Sequence, residues 1–206
     1  MSNFGRRKAV KKVNEMLNIV LFGAPGAGKG TQAQRLVEKY GLNHISTGEV
    51  IRAEIRSGSP LGQSMQEYIS RGELAPDSLV IDIIADYVKS HADSAGNIFD
   101  GFPRTTPQAE AFDRILHGCG LKVDAMLEMD VHDEELVRRL MLRGKESGRA
   151  DDASEEVIRN RLDIYKRQTA VVADYYAAQG KFVAVNGLGS EDEVCSRLCS
   201  EIDKLL

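Results

Sequence analysis

The chain has 206 residues, of which 42% are hydrophobic and 28% charged, a composition typical of a globular protein with a substantial core. Its formal net charge of −4 excludes a global positive field that could hold nucleic acid, so an anionic ligand needs a local cluster of cations. The apolar runs are far shorter than the roughly 20 residues that cross a bilayer, and we expect a soluble cytoplasmic protein with no membrane partner.

The N-terminal segment, residues 1–15, is rich in lysine and arginine. It resembles the first part of a signal peptide, but a short strand and a glycine-rich turn follow it where a long apolar stretch would be needed. We therefore predict a disordered or weakly helical extension, followed by one folded domain over residues 16–206. Met16 stands directly before the first strand and is a candidate second start of translation.

Four short apolar segments bounded by turn residues predict strands, at residues 17–22, 96–100, 125–130 and 182–186, and we expect the first of them to be buried. Helical stretches alternate with them, including one that runs through Tyr40 and a closing helix over Glu191 to Leu205. This alternation predicts an α/β fold in which helices cover both faces of a parallel sheet. Ligands of such sheets bind beyond the carboxyl ends of the strands.

Two segments depart from this alternation. Residues 46–75 are mainly helical but are interrupted by glycines and a proline, which predicts a small helical insertion. The segment from Gly144 to Asp152 is short, polar and flanked by glycine, and it predicts a mobile loop between two helices.

The three cysteines show no CxxC spacing, which argues against a structural zinc site and fits reduced thiols in the cytoplasm. Cys195 and Cys199 are one helical turn apart on the closing helix, and we interpret them as packed or half-packed thiols. We predict no metal site built from protein side chains.

The strongest motif is GAPGAGKGT, residues 23–31, between the first strand and a helix. Glycines let backbone N–H groups converge, the helix N-terminus adds partial positive charge, and Lys29 adds a full charge, so the loop predicts a cradle for polyphosphate. Gly30 follows the lysine, and the hydroxyl that usually occupies that position comes one residue later, at Thr31. The loop alone predicts nucleotide binding, which ATPases, GTPases, kinases and nucleotide sensors share.

Three further segments accompany this loop: His44 to Glu49 with Arg52, Asp100 to Thr105, and Arg143 to Asp152. Together, and in this order, the four motifs resemble the adenylate kinase family over residues 17–206. The resemblance implies a P-loop NTPase-type sheet with an NMP-binding insertion at residues 46–75 and a short lid at 142–152. It also implies a monomeric enzyme that transfers the terminal phosphoryl group of Mg-ATP to AMP and gives two ADP.

The resemblance assigns site residues by position. It implies an ATP site at Gly26, Ala27, Gly28, Lys29, Gly30, Thr31, Arg139, Arg143 and Gly189. It implies an AMP site at Thr47, Gly48, Arg52, Glu73, Leu74, Ala75, Gly101, Phe102, Arg104, Gln108, Arg149 and Arg161. The catalytic groups that it implies are Lys29, Asp100, Arg104, Arg139, Arg149 and Arg161. Mg²⁺ would be bound with ATP, through water near Asp100 and Thr31, and Asp151 and Asp152 would anchor the closed lid.

Transfer between two nucleotides brings anions together, so converging cations must screen both the repulsion and the developing charge. Arginine suits this task because its planar fork binds phosphate oxygens in pairs. Each arginine alone would also fit a solvated helix face or a surface ion pair. Arg104 differs because Gly-Phe-Pro joins it to a strand end, at the ligand edge of the sheet.

Other predicted site residues also have simpler interpretations. Asp100 would serve as a turn or helix cap, Gln108 as an exposed helix residue, and Asp151 with Asp152 as a solvated acidic pair. Glu49 stands where the family more often has aspartate, and we interpret it as a helix-start carboxylate.

Two other functions stay open at this point. One is a UMP/CMP or other nucleoside monophosphate kinase, and the other is a nucleotide sensor that performs no transfer. Thr47 and Thr105 favour AMP, because the pyrimidine enzymes tend to carry alanine and asparagine there. The retained set of arginines favours transfer over sensing.

Overall fold

The computed structural model describes residues 16–90 and 95–206, so the predicted N-terminal extension lies outside the described residues. The strands are β1 Leu17–Phe22, β2 Asn43–Ser46, β3 Gly96–Asp100, β4 Ala125–Asp130 and β5 Phe182–Asn186. The α-helices are α1 Lys29–Tyr40, α2 Thr47–Ser57, α3 Pro60–Ser70, α4 Asp77–Ser90, α5 Thr106–Gly118, α6 Asp133–Ser147, α7 Glu155–Ile164, α8 Val171–Ala177 and α9 Glu191–Ile202. A 3₁₀ turn, Ala150–Asp152, precedes α7, and a π-helical turn, Tyr165–Thr169, follows it.

The five strands form one parallel sheet in the order β2-β3-β1-β4-β5. Every residue of the central strand β1 is buried, which explains the apolar run from Ile19 to Phe22, because helices cover both faces. The predicted α/β fold and all four predicted strands are confirmed. The prediction missed β2, an edge strand of four residues.

Alternate residues of β1 face two separate cores. Ile19 and Leu21 belong to a cluster that also contains Leu36 of α1 and Leu198 of α9. Val20 and Phe22 belong to the opposite cluster, built from α4, α5 and α8. The sheet is therefore held from both sides, and its carboxyl edge stays free for a ligand.

The predicted helical insertion contains α2 and α3, packed closely against each other. A Cβ atom at Gly62 would lie 2.1 Å from the backbone oxygen of Glu54, so this contact admits glycine alone. Ser46 and Ser59 cap the two helices, since their hydroxyls accept from the backbone N–H groups of Glu49 and Gly62.

The prediction of a loop from Gly144 to Asp152 is partly wrong. Helix α6 continues to Ser147, and a 3₁₀ turn starts at Ala150, so the irregular part is short. Gly144 is helical and packs against the 3₁₀ turn, where a Cβ atom would lie 2.3 Å from the backbone oxygen of Asp152. The closing helix is also shorter than predicted, because it ends at Ile202.

The thiols of Cys195 and Cys199 lie 3.9 Å apart on α9, and all three cysteines are free. This agrees with the predicted packing of the pair. Within residues 16–90 and 95–206, none of the helices combines the length and the apolar character that a membrane span requires.

Candidate active site

Two adjoining cavities lie at the carboxyl edge of the sheet. The large cavity, of about 680 Å³, is lined by the glycine loop and by cations from several helices. The small cavity, of about 50 Å³, lies between α2, α4 and the β3–α5 loop. They share one wall, formed by Gly48, Arg52, Gly72, Leu74, Gly101, Arg104 and Arg161.

The structure brings most predicted site residues to these cavities. In addition to the shared wall, the large cavity is lined by Gly26, Gly28, Lys29, Gly30, Thr31, Asp100, Phe102, Arg139, Arg143 and Arg149. In addition to the shared wall, the small cavity is lined by Thr47, Glu73, Ala75 and Gln108. Ala27 and Gly189 line neither cavity.

The glycine loop turns tightly before α1. Gly26 and Gly28 have φ angles of 85° and 100°, in the left-handed region that favours glycine. Helix α1 begins at Lys29, whose ammonium donates to the backbone oxygens of Gly23 at 2.7 Å and Ala24 at 3.0 Å. The free backbone donors of the helix N-terminus and this ammonium therefore share one small volume.

Removal from water lowers the pKa of Lys29 to about 8. The charge of Asp100 opposes this change, while the nearby guanidinium groups of Arg104, Arg161 and Arg143 add to it. The ammonium is thus held among like charges in a partly dry cleft. An anion bound there would restore its ordinary affinity for a proton.

Asp100 is the last residue of β3, and its buried carboxylate faces the glycine loop. Burial alone would raise its pKa, but the imidazole of His44 and the charges of Lys29 and Arg104 outweigh burial, so the pKa lies below its usual range. His44 Nε2 lies 3.7 Å from Asp100 Oδ2 and lines the large cavity. His44 lies in one of the sequence motifs, but the sequence alone indicated no role for it at the site.

Arg104 points along the shared wall, held by its own turn. Its Nε donates to the backbone oxygen of Gly101 at 2.7 Å, and the Thr47 hydroxyl donates to the same oxygen at 2.8 Å. Gly101 has a φ of 78°, and a Cβ atom there would lie 2.9 Å from Arg104 Nη2. Burial, followed by the charge of Arg161, lowers the pKa of Arg104, which still stays protonated as arginine does in proteins.

Glu49 connects the helical insertion to Arg149, the residue directly before the 3₁₀ turn. Its Oε1 accepts from Arg52 Nη2 at 2.5 Å and from Arg149 Nη2 at 3.0 Å. The hydrogen bond from Arg52 is the main reason why the pKa of Glu49 lies below its usual value. Within the described part of the chain, Arg52 Nε is buried and has no hydrogen-bond partner, so part of this guanidinium is unsatisfied. Glu49 does lie in the first turn of α2, as predicted.

Two aspartates of the 3₁₀ turn hold arginines of α6 and α7. Asp152 accepts two hydrogen bonds from Arg143, at 2.6 and 3.1 Å, and also pairs with Arg161 Nη1. Asp151 Oδ2 lies 3.0 Å from Arg161 Nη2. Both aspartates are buried, so the interpretation as a solvated acidic pair is wrong.

The side chain of Arg161 reaches the shared wall beside Gly72. A Cβ atom at Gly72 would lie 2.5 Å from Arg161 Cγ, so glycine leaves room for this arginine.

Arg139 contacts the glycine loop from the other side, where its Nη1 donates to the backbone oxygen of Ala27 at 3.3 Å. Glu135 holds Arg139 in place through a bond of 2.7 Å to Nε.

Gln108 is buried at the small cavity, so the interpretation as an exposed helix residue is wrong. Its Oε1 accepts from the backbone N–H of Arg104 at 2.8 Å, and its Nε2 donates to Asp77 Oδ1 at 2.7 Å. The Thr105 hydroxyl donates to the other oxygen of Asp77 at 2.9 Å. Asp77 belongs to none of the sequence motifs and was not predicted as a site residue.

A family model described as adenylate kinase matches residues 21–181 of this chain. The chain belongs to the adenylate kinase family. It is 54% identical to an adenylate kinase of Bacteroides fragilis over 190 residues, which are 92% of this chain and 100% of the relative. Over the same shares, it is 53% identical to an adenylate kinase of Bacteroides thetaiotaomicron and 49% identical to one of Flavobacterium johnsoniae.

The predicted family and the predicted enzyme class are therefore confirmed. The adenylate kinase fold presents the glycine loop, the β3–α5 loop and the arginines Arg143 and Arg149 at one edge of its sheet. Among its described residues, no group of three His, Cys, Asp or Glu side chains could hold a metal ion. Asp100, with ionised oxygens beside the glycine loop, fits a cation that takes its other ligands from phosphate and water, as Mg²⁺ commonly does.

Proposed function

We propose that the large cavity holds ATP and the small cavity holds AMP, with their phosphates meeting at the shared wall. As an adenylate kinase, the chain transfers the terminal phosphoryl group of ATP to AMP and gives two ADP. The observation that carries this arrangement is that Arg52, Arg104 and Arg161 line both cavities. Two anionic ligands at one wall need such cations, and these guanidinium groups keep their charge when water leaves.

On the ATP side, we assign the β- and γ-phosphates to the loop of Gly26 to Thr31 and to Lys29. The ammonium now bound to two backbone oxygens can exchange them for phosphate oxygens, which carry more charge. Arg139 and Arg143 approach the same loop from α6. Ala27 would act through its backbone. Gly189, which lies outside both cavities, is assigned to the ATP adenine on the family resemblance alone.

On the AMP side, we assign the phosphate to Arg52 and Arg104 and the base to the small cavity. The unsatisfied Nε of Arg52 supports an anion at that position. The walls around the base are supplied by Thr47, Gly48, Glu73, Leu74, Ala75, Gly101 and Gln108. Phe102 lines the large cavity, which we assign to ATP, and does not line the small one. Its assignment to AMP therefore rests on the family resemblance.

Mg²⁺ bound with ATP would be held near Asp100 and Thr31, where it would neutralise phosphate charge. The lowered pKa of Asp100 keeps this carboxylate ionised at neutral pH. Thr31 is exposed and lines the large cavity, which leaves room for water at its hydroxyl.

The chemistry is positioning and electrostatic stabilisation of an in-line transfer, with no covalent intermediate. Arg149 and Arg161 would reach the reacting phosphates from the lid and α7, and closure would keep water away from them. Opening the cleft requires the Glu49–Arg149 pair to separate, because it joins the insertion to the lid. We also expect closure or reopening to limit turnover, so kcat should fall as solvent viscosity rises, and chemistry slower than both motions would contradict this.

We further propose a cytoplasmic monomer. The three free thiols support a reducing compartment. One chain supplies the glycine loop and the cations of both cavities, which supports a monomer as the active unit.

A coupled assay with Mg-ATP and each of AMP, UMP, CMP and GMP tests the function. ADP formed with AMP, and far more slowly with the others, is the expected result. Turnover with a pyrimidine nucleotide at the rate of AMP would reassign the acceptor. No ADP with any acceptor would indicate a nucleotide sensor.

A further inference from the structure

The amide group of Gln108 is held from both sides by groups that admit one orientation. A carboxylate oxygen accepts hydrogen bonds and a backbone N–H donates them, so Asp77 must face Nε2 and Arg104 N must face Oε1. The distances of 2.7 and 2.8 Å are those of well-formed hydrogen bonds. A flipped amide would place two acceptors together at Asp77 and two donors together at Arg104.

Asp77 is itself fixed in place. Its second oxygen accepts from the Thr105 hydroxyl at 2.9 Å, and that hydroxyl also accepts from the backbone N–H of Gln108 at 3.3 Å as the N-cap of α5. The single hydroxyl hydrogen of Thr105 is used on Asp77, so every bond in this small network has a defined direction. Asp77 also lies in the first turn of α4, where partial positive charge favours a carboxylate.

We propose that Asp77 is a positioning residue that determines acceptor specificity, because it locks the Gln108 amide in the orientation that reads adenine. The proposal rests on the proposed function, in which the small cavity holds the acceptor base. The locked amide has one N–H and one oxygen lone pair left after its two protein bonds. Adenine presents the matching pair, an acceptor at N1 and a donor at its 6-amino group.

A 6-oxo purine presents the opposite pattern, with a hydrogen on N1 and an acceptor at position 6. Against the locked amide, this pattern puts donor against donor and acceptor against acceptor. A flipped amide would accept it, but Asp77 and the backbone of Arg104 oppose the flip. A site with fixed hydrogen-bonding groups rejects the mismatched ligand strongly, because buried polar groups are left unpaired.

A purely structural role for Asp77 would give a different result. If Asp77 only joined α4 to α5, it would stabilise the binding of both acceptors equally. Its loss would then weaken the binding of AMP and of inosine monophosphate by the same factor. The ratio of the two affinities therefore separates the two roles, whatever happens to stability.

The experiment measures Kd of AMP and of inosine monophosphate by titration calorimetry, with a non-hydrolysable ATP analogue bound to the whole chain. In Asp77→Asn the side chain can present either a donor or an acceptor to Gln108, and we expect the preference for AMP to fall about tenfold or more. Asp82→Asn, an exposed aspartate on the same helix, is the matched control and should keep the wild-type preference. Asp77→Ser, which also removes the obligate acceptor, gives the same test if the asparagine variant folds poorly.

An unchanged affinity ratio in Asp77→Asn or Asp77→Ser would overturn the specificity role and leave the proposed acceptor site intact. A wild-type chain that binds AMP no better than inosine monophosphate would overturn both, because the small cavity would then not read adenine at all.

Discussion

Binding of ATP should transfer a proton from solvent to Lys29 when the pH exceeds the pKa of this residue. Without ATP, the ammonium of Lys29 has a pKa of about 8, so at pH 8.5 about a quarter of the molecules carry the proton on Lys29. Bound polyphosphate favours the charged form of Lys29. If the pKa of Lys29 in the ATP complex returns to near the ordinary 10.5, almost every molecule in the complex carries the proton. The expected uptake is therefore about 0.75 proton per ATP at pH 8.5 and about 0.1 at pH 7.

The same linkage gives the pH dependence of affinity. A lowered lysine pKa leaves the neutral form populated above about pH 8, and the neutral form attracts phosphate less. ATP should bind most tightly below that pH and lose about tenfold in affinity by pH 9. The neighbouring arginines stay protonated and Asp100 stays ionised throughout this range, so neither contributes to the change.

Titration calorimetry in two buffers of different protonation enthalpy measures the uptake directly. Lys29→Met should lose the pH-dependent uptake together with much of the affinity. Lys39→Met, which removes an exposed lysine from the same helix, should keep both. Uptake below about 0.2 proton at pH 8.5, or undiminished uptake in Lys29→Met, would refute the electrostatic description of the loop.

Three further predictions concern the cations and their partners. Arg104→Ala should lower kcat about a hundredfold or more in the coupled assay, since in the proposed site it removes a cation from the wall where the phosphates meet, and a loss under about threefold would exclude it from catalysis. Glu49→Gln should tighten AMP binding severalfold in calorimetry, because the carboxylate no longer competes with phosphate for two guanidinium groups; weaker binding would show that it holds them in position. Asp152→Asn should lower the free energy of unfolding by about 3 kcal/mol, because two arginines lose a shared buried carboxylate. Scanning calorimetry should then show a Tm lower by about 6–12 °C, and a shift under about 2 °C would contradict the role of this contact.

Four of the five strands could be predicted from the sequence because each contains apolar residues in a short segment between turn residues. β2 could not, since Asn43–Ser46 lies at the sheet edge and only Ile45 in it is an apolar residue buried in the core. A strand so short is held by its pairing with β3, which the sequence does not display.

The prediction of a loop over Gly144 to Asp152 is wrong at its start for a specific reason. Glycine was interpreted as a helix breaker, but Gly144 serves a close contact with the 3₁₀ turn and stays helical. Gly72 has a similar purpose, because it leaves space for Arg161, some ninety residues further along the chain. Such glycines depend on tertiary contacts, which a local pattern cannot reveal.

The candidate site also contains residues that local sequence predicts and residues that only tertiary contacts reveal. The glycine loop and Arg104 were predictable because their geometry is set locally, by one turn after one strand. His44 and Asp77 carry no local signal, and they belong to the site through contacts with Asp100 and Gln108 across the fold. The burial of Gln108 likewise follows from packing between α4 and α5, which no helical pattern alone distinguishes from an exposed position.

The central claim is that cations at one edge of the sheet hold two nucleotides end to end. A crystal structure with a bisubstrate mimic, in which a chain of phosphates joins two adenosines, tests it most directly. We expect one mimic per chain, with its phosphates bound to Lys29, Arg104 and Arg161 and one adenine beside Gln108. A structure in which these cations keep their present partners, and in which the second adenosine has no pocket, would contradict the account.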